Sequence, residues 1–369
     1  MLVWGGNKIM NLTVNTQLLK SMINKVIKGA GMNRSLPITN MMLIDAQDGT
    51  LNLLTTDGAI TFVVRSTKCE INEPFYVVVP IDIFSKLVSK TTCEVISLTL
   101  EDSNLMVKGN GNYKIALPMD EEGLVRFPKP EVIGTEAENR VVKNSFIKSV
   151  VNTNKASTAK TLDVPCLTGY YINREFVVSS DENNACYSKI NLLNDETLLA
   201  AKVLDLVSLS DCEDINYTRV ENKIMFFADD FSLFTQELEG KDIFPIAPLM
   251  ELYYTAQFKS SCRVPKILLQ SVIDRLMLFI EPYDKNAATF TFTQNGLQIS
   301  SRKMSSIEIV NYTASEGFEP FIANIDISSL KPQIDAYNGE EIEIWYGLSS
   351  ALKLQSGNIA QIIALLEEI

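Results

Sequence analysis

Residues 11–30 read NLTVNTQLLKSMINKVIKGA, and the rest of the chain repeats the pattern of this stretch. Alternation over Asn11–Val14 predicts a strand, and apolar residues at helical spacing from Thr16 to Ala30 predict a helix with one packed half. Two later segments, spaced roughly evenly along the chain, follow the same plan: Arg140–Lys143 before a helix over 144–160, and Ala256–Lys259 before a helix over 263–280. Regular recurrence indicates a fold built by internal repetition.

Each third of the chain also contains a second strand that leads into a second helix. The predicted helices cover 81–90, 202–211 and 326–337, and the strands before them are Phe75–Pro80, Thr197–Ala201 and Pro320–Asn324. Alternating strands follow each helix. The predicted fold class is therefore α+β, with six strand–helix–strands repeats paired into three domains.

Prolines mark the predicted domain joins. Two stretches, Phe127-Pro-Lys-Pro-Glu131 and Phe244-Pro-Ile-Ala-Pro248, end the preceding strands at equivalent places. We therefore expect domains over residues 10–131, 132–253 and 254–369. Residues 1–9 form a predicted N-terminal extension, and Met10 is a second candidate start.

The composition is that of a globular protein, with 46% hydrophobic and 21% charged residues among 369. The chain has no histidine, which excludes Ser-His-Asp and Cys-His nucleophiles, histidine acid–base pairs and histidine-ligated metals. Its six cysteines are scattered singly, and neither a Walker A nor a G-x-G-x-x-G motif occurs. We therefore expect a cytoplasmic protein with no membrane span and no nucleotide cofactor, although catalysis by carboxylates, lysine or tyrosine stays open.

Positive charge is concentrated on the predicted helices. The chain carries −12 overall, with 33 Lys and Arg against 45 Asp and Glu, whereas the six helical spans carry +7. A solvated lysine face explains any single helix, but its recurrence in an acidic chain predicts a surface that holds phosphates without reading bases. The predicted nucleic-acid contacts are Lys20, Lys25, Lys28, Arg34, Lys86, Lys90, Lys148, Lys155, Lys160, Lys202, Arg263 and Lys266.

Short motifs in the repeats resemble one known family. In chain order they are Leu36-Pro-Ile38, Asp48-Gly-Thr-Leu51, Thr56-Asp-Gly58, Val79-Pro80, Phe127-Pro128, Leu167-Thr-Gly169 and Ser180-Asp181. Together with the helix over 268–280, their order and spacing resemble the beta sliding clamp of bacterial replicative DNA polymerase III, including phage-encoded clamps. The similarity extends over nearly the whole chain from Met10.

This resemblance implies a processivity factor rather than an enzyme. In the family, a head-to-tail homodimer closes a six-domain ring around duplex DNA, with helices lining the hole and sheets outside. The ring slides without sequence preference, is loaded by a separate clamp loader and tethers the replicative polymerase. At the interface between the two copies, here called the seam, Leu278 and Phe279 of one copy would contact Tyr113 and Ile115 of the other. The alternative interpretation of Leu278 and Phe279 is the buried end of a helix.

The resemblance also implies a hydrophobic pocket between the second and third domains that takes short peptides from polymerases, the clamp loader and repair proteins. Its wall would comprise Leu167, Ser180, Ala185, Pro245, Leu249, Leu348, Ser350, Ile363 and Leu365, with core packing as the alternative for Leu167 and Ile363. Two stretches depart from the family. Ser180-Asp-Glu-Asn-Asn-Ala185 replaces Thr-Asp-Gly-His-Arg-Leu, and the chain ends Ala364-Leu-Leu-Glu-Glu-Ile369 rather than Met-Pro-Met-Arg. Acidic residues replace the basic ones at the rim of this pocket, so we expect an altered preference among partner peptides.

Two other functions stay open at this point. One is a monomeric scaffold that binds peptides and never encircles DNA. The other is a metal-dependent nuclease, for which Asp229-Asp230 and Glu367-Glu368 are the nearest carboxylate pairs, although adjacent acids more often solvate a loop or a chain end.

Overall fold

The structure is a computed structural model that describes residues 11–31, 33, 35–71, 73–130, 138–161, 163–280, 286–303, 305–314 and 317–367. Several predictions fall outside the described residues: the extension over 1–9, Met10, the contact residue Arg34, the domain limit at Glu131, and Glu368.

Seven α-helices occur in the described residues. They are α1 Thr16–Val26, α2 Ile81–Lys90, α3 Asn144–Asn154, α4 Ala201–Val207, α5 Ile246–Tyr254, α6 Lys266–Leu276 and α7 Ile327–Asp335. Short 3-10 helices extend or precede other elements at Ile27–Gly29, Pro37–Asn40, Lys155–Ser157, Pro165–Thr168, Lys241–Ile243 and Met277–Phe279.

The strands are numbered along the chain. The first twelve are β1 Asn11–Asn15, β2 Met41–Gln47, β3 Thr50–Thr56, β4 Thr61–Ser66, β5 Glu70–Ile71, β6 Phe75–Pro80, β7 Val95–Glu101, β8 Asn104–Lys108, β9 Asn112–Ala116, β10 Met119–Asp120, β11 Gly123–Leu124 and β12 Asn139–Lys143. The next eight are β13 Gly169–Ile172, β14 Val177–Ser180, β15 Asn184–Ser188, β16 Thr197–Ala200, β17 Asp214–Val220, β18 Lys223–Ala228, β19 Phe231–Gln236 and β20 Ser260–Pro265. The last eight are β21 Ala287–Thr293, β22 Gly296–Ser301, β23 Ile307–Val310, β24 Thr313–Ala314, β25 Phe321–Asp326, β26 Glu341–Tyr346, β27 Ala351–Ser356 and β28 Ile359–Ala364.

The α+β class and the repeated strand–helix plan are confirmed, with two corrections in the third repeat. The strand predicted over Ala256–Lys259 lies instead at β20, and the helix predicted from Arg263 begins at Lys266, so Arg263 is a strand residue. The physical reason is that Ser260–Val264 alternates sides in the sheet, while Pro265 has extended backbone (φ −60°, ψ 125°) and immediately precedes α6.

Helix α5 was not predicted, because its residues fall at an expected domain join. Pro248 lies within its first turn, where a proline removes no intrahelical hydrogen bond. A proline-rich stretch that reads as a linker can therefore begin a helix.

Side-chain caps fix where two of the helices begin. The Asn15 carboxamide oxygen accepts hydrogen bonds from the Gln17 and Leu18 N–H groups at 2.9 and 3.2 Å. Asp326 caps α7 in the same way, since its carboxylate accepts from the backbone N–H groups of Ser328 and Ser329. Each cap satisfies donors that have no partner inside the helix.

The chain divides into two compact units. The first contains the described residues up to Asn144 together with Asp205–Glu237, and the second contains Ser145–Leu204 together with the described residues from Leu238 onward. The three-domain division stays a prediction.

Within the first compact unit, an eight-stranded antiparallel sheet crosses the predicted join between domains one and two. Its order is β12-β17-β18-β19-β4-β3-β2-β6, and β19 pairs with β4 from Phe231 opposite Val64 to Phe234 opposite Thr61. A five-stranded sheet, β5-β1-β7-β8-β9, and the hairpin β10-β11 belong to the same unit.

The second compact unit repeats this arrangement. A nine-stranded sheet, β16-β13-β14-β15-β28-β27-β26-β20-β24, crosses the predicted join between domains two and three through the pairing of β15 with β28. A four-stranded sheet, β23-β22-β21-β25, completes the unit. Its largest core contains Leu269 and Leu276 of α6 together with Phe290 and Phe292 of β21.

Candidate nucleic-acid and peptide interfaces

In the first compact unit, the predicted contact lysines lie on the polar sides of α1 and α2. Leu19 and Ile23 of α1 are buried, whereas Lys28, just beyond the helix, and Lys86 and Lys90 of α2 are exposed. Lys86 forms a surface ion pair with Asp82 at 2.5 Å.

Two lysines of α1 instead bind groups of their own unit. The Lys20 ammonium donates to the Thr91 carbonyl oxygen at 2.7 Å, just past the end of α2. The Lys25 Nζ atom lies 2.6 Å from Asp211 Oδ2 and 3.7 Å from Asp230 Oδ2. Both side chains are half-buried. They therefore support the packing of α1 more directly than they offer charge to a ligand.

Asp230 is a structural carboxylate. It accepts hydrogen bonds from Ser210 Oγ at 2.7 Å and from the Asp211 N–H at 2.9 Å. Burial raises the pKa of Asp230, but these hydrogen bonds and the Lys25 ammonium outweigh burial, so the pKa is lowered from its ordinary value. Asp229 and Asp230 form the turn between β18 and β19, since Ala228 pairs with Phe231 across it.

In the second compact unit, Lys148 of α3 and the following Lys155 and Lys160 are exposed, and Lys202 is half-buried. The remaining two predicted contacts bind their own unit. Lys266 donates to the Tyr337 carbonyl oxygen, and Arg263 Nε lies 3.7 Å from Glu343 Oε1.

The observed helix bounds reduce the charge that the helices carry. With these bounds the same six helices carry +5, since four cations and two acids of the predicted spans lie outside them. Among the predicted contacts that the structure describes, four are exposed and engaged in no ion pair: Lys28, Lys90, Lys148 and Lys160.

The predicted peptide-pocket residues lie in the second compact unit, and four of them share one apolar cluster. Leu167, Ala185 and Leu249 are buried in it, and Leu348 packs against it half-buried. α5 supplies Leu249 and Tyr253, so a helix that the sequence did not predict forms part of this cluster.

The other predicted pocket residues have different surroundings. Ile363 and Leu365 pack in the separate core of the predicted third domain, whereas Ile362 joins the cluster of Leu167. Neighbouring residues of a strand point to opposite faces of the sheet. A shift of one residue along β28 therefore moves a side chain from one core to the other. Pro245 is half-buried before α5, and Ser350 is exposed with its carbonyl oxygen accepting from the Leu365 N–H at 2.9 Å.

A tight turn over residues 181–184 separates two cavities, of which the first lies beside the cluster of Leu167 and the second beside Ile363. The first has a volume of about 290 Å³ and is lined by residues that include Ala159, Val164, Leu167, Asp181 and Glu182. The second has a volume of about 310 Å³ and is lined by residues that include Asn183, Asn184, Ser329, Ile363, Leu365 and Leu366.

Hydrogen bonds hold that turn in place. Asp181 Oδ1 accepts from the Asn183 and Asn184 N–H groups at 3.1 and 2.6 Å, and Ser180, buried at the end of β14, donates through Oγ to the Asn184 carbonyl oxygen at 3.1 Å. Asn184 Nδ2 also donates to Ser329 Oγ on α7 at 2.5 Å. The two cavities therefore have a rigid divider.

Two of the predicted seam residues lie on an outermost strand, and the other two directly follow a helix. Tyr113 is 39% exposed and Ile115 is buried, and both belong to β9, an outermost strand of the five-stranded sheet. Leu278 and Phe279, in the 3-10 helix after α6, are 81% and 51% exposed. The interpretation of Leu278 and Phe279 as a buried helix end is therefore wrong.

A further exposed apolar pair that the sequence did not predict, Ile307 and Ile309, lies on β23 at the margin of the four-stranded sheet. The alternation Ile-Glu-Ile-Val over 307–310 was the available signal, because it places both isoleucines on one face. Glu308 points the other way, and the Arg275 guanidinium beside it at 2.5 Å holds the pKa of that carboxyl below its usual value.

No group of three or more metal-ligating side chains occurs in the part of the chain that the structure describes. Nor do the described helices include one that is long and apolar enough to cross a membrane.

Comparison with known proteins points to one family. The family model of the DNA polymerase III beta subunit N-terminal domain matches residues 10–122. Beta sliding clamps of two Staphylococcus epidermidis strains are 22% identical over 254 residues, which is 63% of this chain. These alignments span 66% of the length of the curated relatives.

The fold matches over nearly the whole chain. The DNA polymerase III beta subunit from Thermotoga maritima superposes with a TM-score of 0.83 at 20% identity, covering 98% of this chain and 100% of that one. The DNA polymerase sliding clamp from Bacillus subtilis gives a TM-score of 0.83 at 16% identity, with the same coverage. Residues 10–122 thus match the N-terminal domain of the DNA polymerase III beta subunit, and the chain as a whole has the fold of the DNA polymerase III beta subunits and sliding clamps of known structure.

Proposed function

We propose that this protein is a DNA sliding clamp: two copies join head to tail into a closed ring that encircles duplex DNA and tethers a replicative polymerase and other peptide-bearing partners. The ring performs no chemical step. Its effect comes from topology, because a tethered polymerase stays at a high effective concentration at the primer end.

The observation that carries the proposal is the way sheets continue across the predicted joins. At the first join, β19, the last strand of predicted domain two, pairs with β4, the third strand after the first helix of domain one. At the second, β28, the last strand of predicted domain three, pairs with β15, the third strand after the first helix of domain two. Both joins therefore use strands at equivalent places in the repeats.

A third join of the same kind would pair β9 with β23. β9 is the last strand of the five-stranded sheet in predicted domain one, and β23 is the third strand after the first helix of predicted domain three. These two strands are outermost in their sheets. Pairing β9 of one copy with β23 of the other would make a head-to-tail contact that closes on itself with two copies. Unpaired strand margins also promote uncontrolled association, which this pairing would prevent.

Apolar exposure supports the same seam. Leu278 and Phe279 are largely exposed, and so are Ile307 and Ile309 of β23. Large apolar side chains clustered near an open strand margin are typical of a surface that a partner covers. We infer that Tyr113 on β9 contacts the Leu278 and Phe279 side chains of the second copy.

The exposed lysines support contact with DNA. Lys28, Lys90, Lys148 and Lys160 offer ammonium groups that their own compact units do not neutralise. Contacts of this kind to phosphates carry no sequence information and exchange readily, which suits a ring that slides.

The test is the mass of the protein in solution together with its retention on DNA. Light scattering should give twice the 41.2 kDa chain mass at micromolar concentration. After loading, the protein should stay on circular duplex DNA and leave when the circle is cut once. A one-chain mass with no retention on circles would overturn the ring and indicate a monomeric scaffold.

A further inference from the structure

We propose that the two cavities beside the turn over 181–184 select partner peptides that carry lysine or arginine next to their apolar anchor residues. This inference rests on the proposed function, since it assumes that the pocket of the clamp receives a peptide. It adds the charge of the partner, which the fold alone does not specify.

The floor of the first cavity is apolar and its rim is acidic. Val164 and Leu167 belong to the apolar cluster at its base, so a leucine-sized side chain has a surface to bury. Asp163, Asp181 and Glu182 surround it, whereas Lys160 is the only basic side chain among the described residues of the lining. A peptide with an acidic flank would bring like charges together at this rim.

The second cavity continues the same pattern. Ile363 and Leu365 give it apolar walls, and Asp326 is the one charged side chain among the described residues that line it. Asn183 and Asn184 face the second cavity while Asp181 and Glu182 face the first, so an extended peptide that crosses the turn reaches both. Alternate side chains of such a peptide would point into the cavities and the others would meet the rim.

Glu182 adds a third carboxylate to this rim. Its side chain is exposed at the edge of the first cavity, and its backbone turns there with φ +77°. The glutamate can therefore meet a peptide at the cavity mouth without first losing another partner in the described part of the lining.

The acidic rim is also fixed rather than adaptable. Asp181 is held by the Asn183 and Asn184 N–H groups, and Asp163 Oδ2 accepts from Thr161 Oγ1 at 2.8 Å. These hydrogen bonds position the carboxylates without neutralising their charge, so the negative potential persists at the cavity mouth.

The experiment compares two short fluorescein-labelled peptides that share alternating leucines and differ only in having lysines or glutamates at both ends. Fluorescence anisotropy with the full-length protein should show the lysine peptide binding about tenfold more tightly at low salt, with the difference shrinking at high salt. The double variant Asp163→Asn/Glu182→Gln should bring the two affinities within about twofold.

A matched control removes two exposed carboxylates that line neither cavity, in Glu340→Gln/Glu341→Gln, and should keep the tenfold preference. Equal binding of both peptides to the wild type, or tighter binding of the glutamate peptide, would overturn the inference and leave peptide binding intact. If neither peptide binds although the protein is retained on circular DNA, the peptide pocket itself is wrong and the inference falls with it.

Discussion

At the scale of single residues, the role of each helix lysine depends on partners that are remote in sequence. Lys25 is paired with Asp211, which lies 186 residues further along the chain. Lys20 is bound to the end of α2. The sequence placed both on a polar helix face correctly, but it could not predict their partners, because those come from other elements of the fold.

The hydrogen-bonded Asp230 carboxylate predicts a specific dependence of stability on pH. Its pKa is lowered in the folded protein, so the unfolded chain takes up a proton first as the pH falls. The stabilisation is complete above the ordinary carboxyl pKa and is lost as the pH falls through the folded value. Asp230→Asn should therefore flatten the loss of unfolding free energy below about pH 4. Urea unfolding at a series of pH values measures this, and the exposed Glu122→Gln should leave the slope unchanged.

Gln333 predicts a stability effect of a different kind. It is buried on α7, where its Nε2 donates to the Ala156 carbonyl oxygen at 2.9 Å and its Oε1 accepts from Ser157 Oγ at 2.8 Å. Gln333→Ala would remove the partner of the buried Ser157 hydroxyl and of the half-buried Ala156 carbonyl, and should lower the free energy of unfolding by about 3 kcal/mol. In urea titrations, Gln270→Ala serves as the control, because its bond to Asp335 is exposed. A loss no larger than that of the control would show that the Ser157 hydroxyl finds another acceptor and the Ala156 carbonyl another donor, or that water replaces both.

At the scale of elements, helical periodicity located six helices, and α2 has the predicted bounds of 81–90. The other five were predicted too long. Three of them, α1, α3 and α6, pass into 3-10 turns, and after α1 and α3 lysines continue the polar pattern without continuing the helix. Strand faces were harder to predict. The sequence could not choose between Ile362 and Ile363, since both are apolar and only the pairing of β28 with β15 assigns each to its core.

The end of α6 carries a prediction about assembly. Leu278 is 81% exposed just after the helix, and Ile267 is 76% exposed at its beginning. Either residue can be replaced by lysine with little effect on the free energy of unfolding, because little apolar area is lost. Leu278→Lys should nevertheless give the mass of one chain in light scattering, whereas Ile267→Lys should keep the mass of two. Equal masses for the two variants would exclude this helix end from the seam.

At the scale of the whole molecule, charge and periodicity predicted repeated helices with a positive face but could not predict closure. Ring closure is instead inferred from the sheets. The two joins within the chain pair strands at equivalent places, and β9 and β23, at the corresponding places, are outermost in their sheets. Backbone hydrogen bonding at a join leaves almost no trace in the side-chain pattern. The sequence alone therefore supported a ring only through its resemblance to a family.

The proposed ring makes a prediction that separates specific placement of charge from total charge. Lys28, Lys90, Lys148 and Lys160 are exposed and engaged in no ion pair among the described residues, so their replacement by glutamate should leave fold and dimer intact. Four lost phosphate contacts should lower the slope of log affinity against log salt by about 3.6. Binding to a short duplex at a series of salt concentrations measures this slope.

A second variant supplies the control, with Lys68, Lys108, Lys129 and Lys189 changed to glutamate, since these exposed lysines are not among the predicted DNA contacts. Both variants have a net charge of −20 instead of −12, because each substitution changes the charge by two. If only general repulsion mattered, the two would lose affinity equally. Loss confined to the first variant would instead require DNA to lie against the predicted contact lysines on the helices and just after them, which is the arrangement that a ring with an inward helical face imposes.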